Sequence, residues 1–171
     1  MDIRELNLKD AERMLEWMHN PDVSEHFRFD ASKMNFDTVT LFITESMNDD
    51  NNRHYAVTDD CDMYMGTVSL KNIDFENKNA EYAISLHMDA LGKGYARFAT
   101  NAILDIAFKE LRLHRVYLNV LAKNIRAIKF YEKYGFVFEG EFKEHLLHRG
   151  KLENLRWYRI LASEKEIMDK S

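Results

Sequence analysis

One cysteine, one proline and six glycines are all that 171 residues hold of the types that staple, break or loosen a chain. A single thiol, Cys61, forms no intramolecular disulfide, so the fold is expected to stand without cross-links. The start Met1-Asp2-Ile3-Arg4-Glu5 shows no basic-then-apolar leader, and the expected setting is cytoplasmic. With so few Pro and Gly, no low-complexity run and no repeat, the sequence offers no linker at which to divide it. Residues 1–162 are expected as one domain, followed by a charged tail over 163–171 that reads as a solvated helical end. No apolar run approaches the ~18 residues of a membrane span. Nor is there a basic excess: 24 Lys and Arg face 29 Asp and Glu, a formal charge of −5, which argues against gripping nucleic-acid backbone as the main function.

Apolar material is plentiful. It makes up 46% of the chain, with 11 Phe and 8 Tyr, enough for a domain that buries roughly 70% of its unfolded surface to carry its own core. Residues 2–6 alternate as a short strand. Asn7 with Asp10 marks a helix start, and Ala11, Met14, Leu15 and Met18 recur at helical spacing until Asn20-Pro21. Val39, Phe42, Ile43 and Met47 make a second stripe that ends in the polar loop 48–52. Three extended segments follow, at 55–58, 63–73 and 80–87, parted by Asp59-Asp60 and Asn77-Lys78-Asn79 as in an antiparallel meander. The strongest helix covers 94–111, a strand 115–121, and a short helix 124–134 that closes at Gly135. Extended segments 136–147 and 154–161, joined through 148–151, complete the order βααβββαβαββ, an α/β fold with a mixed sheet.

Two segments carry chemistry. Leu91-Gly92-Lys93-Gly94-Tyr95-Ala96 lies between the third meander strand and the strongest helix. Glycines there let backbone amides approach an anion, and a helix N-terminus favours negative charge. Arg97 stands where a dinucleotide fingerprint has its third glycine, and the Gly-Lys-Ser/Thr ending of a P-loop is missing. An ordinary helix-start loop reads the same way. In 124–136, Asn124, Ala127 and Tyr131 fall at i, i+3 and i+7, so one helix face presents an amide, a small side chain and a phenol. A capping Asn beside a core Tyr is the competing reading.

Together the two segments resemble the GNAT superfamily of acetyl-CoA-dependent N-acetyltransferases, whose loop reads Q/R-x-x-G-x-G/A and whose later helix reads N-x-x-A-x-x-x-Y-x-x-x-G-F. The helix pattern is met at Asn124, Ala127, Tyr131, Gly135 and Phe136. The likeness extends over nearly the whole chain and is closest to the branch of ribosomal-protein alanine and spermidine N-acetyltransferases. It implies a single-domain fold whose mostly antiparallel sheet is opened by a splayed central strand pair. It also implies acetyl-CoA as cosubstrate and no metal. The amides of Gly92, Lys93, Gly94, Tyr95 and Ala96 would hold the pyrophosphate and the backbone at Leu86, His87 and Met88 the pantetheine, with Asn124, Ala127 and Tyr131 beside it.

By the same resemblance Tyr131 falls where the family places the general acid that protonates the departing thiolate, and a phenol of pKa about 10 suits that leaving group. Glu81 matches a position where some relatives carry a carboxylate that removes the amine proton through water; an exposed strand Glu, paired across the sheet, is the alternative. His87 and Glu139 are lesser candidates for that base. Trp17, Phe27, Arg28 and Phe29 fall in the region that faces the acceptor in this family, against core packing for Trp17 and plain exposure for the others. The acceptor implied is a small-molecule or peptide amine: a polyamine, a protein N-terminus or an amino sugar. No nucleic-acid or membrane partner is implied, and homodimer formation stays open. Leu91 departs from the usual Gln or Arg and implies weakened cofactor binding, which keeps a non-catalytic acyl-CoA-binding module as the second reading. His145 and His148 look like a metal pair, but three residues apart on a strand they point to opposite faces.

Overall fold

Alternating apolar and polar residues build the strands, and the computed structural model, which describes residues 1–20, 24 and 30–170, joins them in one sheet. The strands are β1 (Asp2–Glu5), β2 (Arg53–Thr58), β3 (Tyr64–Asp74), β4 (Asn79–Leu86), β5 (Arg115–Leu121), β6 (Val137–His148) and β7 (Lys151–Leu161). Their spatial order is β1-β2-β3-β4-β5-β7-β6. Every neighbouring pair is antiparallel except β4–β5, which is parallel. This is the mixed α/β sheet expected from the sequence.

Helices cover both faces. On one lie α1 (Ala11–Met18) and α2 (Phe36–Ser46), which bury Met14, Trp17, Val39 and Ile43 against Ala56 and Tyr64 of the sheet. On the other, α3 (Tyr95–Asp105) and α4 (Ile125–Tyr134) pack Ala99, Ile103, Ile128 and Tyr131 onto Val68, Leu70, Tyr82, Val116, Leu118 and Tyr158. Strand alternation separates the two cores: Ala56 and Val57 are neighbours in sequence and enter opposite ones. The predicted helix over 94–111 is regular only to Asp105 and widens into a π turn over Ile106–Glu110.

Two local readings need revision. The last hairpin is tighter than 148–151: β6 reaches His148 and β7 starts at Lys151, leaving Arg149 and Gly150, with φ of +50° and +76°. Positive φ at both positions is what a two-residue turn of matching twist requires. The tail is helical, as α5 (Ala162–Asp169), but it is not solvated throughout, because Met168 packs on the core and Lys165 is 5% exposed. Among the described residues no helix is long and apolar enough to cross a membrane.

Gly66 shows how closely β3 and β4 approach. Its φ is +154°, and a Cβ placed there would lie 2.4 Å from the Ser85 carbonyl oxygen and 2.9 Å from the Leu86 Cα. Both atoms are backbone and have no rotamer by which to yield. Gly66→Ala is therefore expected to destabilise the protein by about 3 kcal/mol. Urea denaturation checks this: the midpoint should fall at an unchanged slope, and an unmoved midpoint would contradict the contact.

Candidate active site

The sheet opens along its middle. β4 and β5 pair only at Asn79↔Arg115, Ala80↔Val116 and Glu81↔Tyr117. Beyond Glu81 each strand keeps its outer neighbour: β4 stays on β3 as far as Leu86, and β5 stays on β7 as far as Leu121. The His87 N–H donates to the Met65 carbonyl at 2.8 Å. Alternation then turns the C=O of Tyr82 and the N–H and C=O groups of Ile84 and Leu86 toward the gap. Backbone groups there demand hydrogen-bonding partners, which an extended ligand carrying amides supplies.

At the open end β4 runs into the glycine loop. His87 Nδ1 accepts the Asp89 N–H at 3.1 Å and caps a short 3₁₀ turn over Met88–Ala90. Arg13 of α1 ties this turn down, donating to the Tyr64 carbonyl and to Asp89 Oδ2, both at 2.7 Å. The Arg13 guanidinium also holds the Asp89 carboxyl below the usual carboxylate range. Gly92 and Gly94 have φ of +75° and +88°, and an added Cβ at either would meet nothing within 4 Å. They serve the path of the backbone and leave the space above it open. The first bond inside α3 runs from the Phe98 N–H to the Gly94 carbonyl at 3.1 Å, so the amides of Tyr95, Ala96 and Arg97 stand at the mouth of the helix, where an anion is favoured. The half-buried Leu91 contributes no polar group to this cradle.

Tyr131 lies over the point where the strands part. It is 8% exposed, and its ring stands perpendicular to that of Tyr82, with centroids 6.1 Å apart, and 6.4 Å from that of Tyr158. Tyr82 is the first β4 residue past the β5 pairing, and Tyr158 faces Leu118 of β5. The Tyr82 hydroxyl is bonded to Thr100 Oγ1 at 2.8 Å, which ties this floor to α3. Asn124 caps α4, its Oδ1 accepting the Ala127 N–H at 3.1 Å, so the capping role weighed from the sequence is the one observed. Ala127 is half-buried behind it.

Glu81 reaches the opposite face, one residue before Tyr82. It is not an exposed strand carboxylate: it is 8% exposed. Lys71, directly across on β3, donates to Oε1 at 3.2 Å, Asn119 of β5 to the same oxygen at 3.4 Å, and Asn72 to Oε2 at 3.1 Å. No sequence motif marks these three partners; only the register of β3, β4 and β5 brings them together. Glu139 is bound by Arg115 and lies 3.6 Å from Arg159, and the Arg115 guanidinium holds its carboxyl below the ordinary range, which makes it a poor proton acceptor. His87 is 7% exposed and spent on its cap.

The acceptor-facing set fares differently. Trp17 is 3% exposed in the α1–α2 core and donates its indole N–H to the Tyr64 hydroxyl at 3.3 Å, the core packing weighed for it from the sequence. Phe27, Arg28 and Phe29 lie outside the described residues. Among the described residues no three His, Cys, Asp or Glu gather where an ion would be held.

An opened parallel pair, an amide cradle at its end and a phenol above it offer the groups that a long, amide-bearing anion would need. Residues 1–137 match the acetyltransferase (GNAT) domain family. The chain belongs to the GNAT acetyltransferase family. It is 30% identical to the spermidine N(1)-acetyltransferase of Vibrio cholerae over 164 residues, 94% of this chain and 95% of that protein. It is 28% identical to the Escherichia coli K12 spermidine N(1)-acetyltransferase over 153 residues, 89% and 81% of the two chains. A crystal structure of the Vibrio cholerae spermidine N-acetyltransferase in complex with CoA and spermine superimposes with a TM-score of 0.87 at 28% identity, covering 95% of this chain and 96% of that one. This GNAT protein is an acetyl-CoA-dependent N-acetyltransferase that moves an acetyl group to a primary amine.

Proposed function

We propose that the acceptor is a polyamine, that Tyr131 is the general acid and that Glu81 receives the amine proton. The observation that supports this reading is the gap between β4 and β5, with Tyr131 on one face of the sheet and Glu81 on the other. Relatives named for spermidine acetylation, similar over nearly the whole chain, favour a polyamine over a peptide or an amino sugar, and a formal charge of −5 suits a cationic acceptor.

In this reading the amides of Gly92 to Ala96 hold the pyrophosphate and the backbone from Leu86 to Met88 holds the pantetheine. Amides aimed at the acetyl carbonyl stabilise the charge that develops on its oxygen. The amine nitrogen attacks the carbonyl carbon, the C–N bond forms and the C–S bond breaks. The amine proton passes through water to Glu81, while Tyr131 gives its proton to the sulfur. Binding both reactants across one gap supplies the orientation that direct transfer needs.

The test is thiol release from acetyl-CoA with spermidine, spermine, an alanine-initiated peptide and glucosamine, with products identified by mass. Acetylated polyamine at a kcat/KM at least about tenfold above the other amines is expected, a difference of about 1.4 kcal/mol in transition-state binding. Preference for the peptide or the amino sugar would overturn the polyamine assignment. Release with none of them would favour the non-catalytic acyl-CoA-binding module.

A further inference from the structure

On the face opposite Tyr131, β5 presents Tyr117 and then Asn119, and β7 places Trp157 directly across from Asn119. Glu81 is in register with Tyr117, the last β5 residue that pairs with β4. Asn119 is therefore the first β5 side chain on this face beyond the closed part of the sheet.

Its amide can point only one way. A carboxylate accepts and does not donate, so the end that meets Glu81 Oε1 at 3.4 Å is Nδ2, and the carbonyl end is turned away. That Oδ1 is buried, and among the described residues no group donates to it. Trp157 adds a second such atom: its ring stacks on Tyr117, with centroids 6.0 Å apart, and its indole Nε1 is buried with no acceptor among the described residues. Buried polar atoms without partners are rare because each forfeits its hydration for nothing. Two on facing residues, beside a buried carboxylate at the edge of the gap, mark a place shaped for a polar group of a ligand.

A carbonyl oxygen calls for a donor. The acetyl thioester has none to offer, whereas the amine arriving at it carries N–H groups. The local charge narrows the choice further. Lys71 already neutralises Glu81 at 3.2 Å, so a second full positive charge gains little here, and a neutral carbonyl suits an uncharged amine. The uncharged form is also the one with a lone pair for attack.

Resting on the reading above, we infer that Asn119 binds the acceptor: its Oδ1 takes one N–H of the uncharged amine and turns the lone pair toward the thioester, with Glu81 beside it to receive the proton. Asn119 is then a substrate-binding residue, held in orientation by the residue that serves as base.

Steady-state kinetics of Asn119→Ala with spermidine, alongside acetyl-CoA calorimetry, test this. The KM for the amine is expected to rise about tenfold, the loss of one hydrogen bond, while the acetyl-CoA Kd stays within about twofold. Asn119→Ser keeps an oxygen at the site and is expected to recover part of the loss; should the alanine variant fail to fold, the serine variant carries the same comparison. An unchanged amine KM overturns the inference, and so does an acetyl-CoA Kd that weakens in step with the amine KM, since that is the mark of a structural role. If the wild-type enzyme acetylates no amine, the catalytic reading falls and this one with it; an active wild type with an indifferent Asn119→Ala removes this one alone.

Discussion

Tyr131→Phe is expected to lower kcat by about a hundredfold or more at saturating substrates, within the range by which positioned proton donors contribute, and to leave acetyl-CoA affinity within about twofold. The change is isosteric. The ring contacts with Tyr82, Phe136 and Tyr158 survive it, so any loss belongs to the hydroxyl. Other phenols of the same cluster are anchored elsewhere: Tyr82 to Thr100, Tyr134 to Asn101 at 2.5 Å and Tyr158 to Glu132 at 2.9 Å. Burial pushes Tyr82 and Tyr134 well above the usual phenol range, and Tyr158 rises as well through burial and its bond to Glu132. They are structural hydroxyls, and Tyr131 is the one set over the gap. The departing thiolate needs a proton, and water supplies one more slowly than a held phenol; a fall in kcat without a change in Kd is the signature of a group that acts after binding. An undiminished kcat would remove Tyr131 from the mechanism.

Gly94→Asp is expected to weaken acetyl-CoA binding by about a hundredfold or more with the fold intact. An added Cβ at Gly94 meets nothing within 4 Å, so the substitution does not collide with the protein. It imposes a strained φ of +88° and a carboxylate at the first turn of α3. The backbone strain costs about 1 kcal/mol for an L residue there. The charge does the greater damage, because it competes for the amides that hold an anion and repels a pyrophosphate at close range. Gly94→Ala separates the two effects by bringing the strain without the charge, and its loss of affinity should be much the smaller. Equal losses would place the effect in the backbone, and full affinity in Gly94→Asp would move the anion site away from this loop.

The sequence was most legible where local pattern decides structure. Strand β5 runs over the residues read from its alternation, and Gly135 ends α4 with φ of +121°, as the glycine implied. The glycine loop and the Asn-Ala-Tyr helix were visible because their spacing is local. What stayed hidden depends on register between distant segments. Lys71, Asn72 and Asn119 meet Glu81 only because β3 pairs with one side of β4 and β5 with the other. Arg13, from the first helix, braces the turn ahead of the glycine loop across a separation of 76 residues. The tail misled because its charges suggest solvent, while Met168 packs on the core and the buried Lys165 reaches Asp105 of α3 at 3.8 Å. Trp17 was legible only as a choice of two, since a large aromatic serves a core as readily as a binding surface, and it is buried in the α1–α2 core.

All of this turns on the opened β4–β5 pair and its glycine loop being the acetyl-CoA site. Calorimetric titration of acetyl-CoA into the protein, with no amine present, tests that most directly. Saturable binding of about one acetyl-CoA per chain, with a Kd in the micromolar range, is the predicted result, obtained through backbone amides despite Leu91. No heat of binding up to about millimolar acetyl-CoA would contradict it.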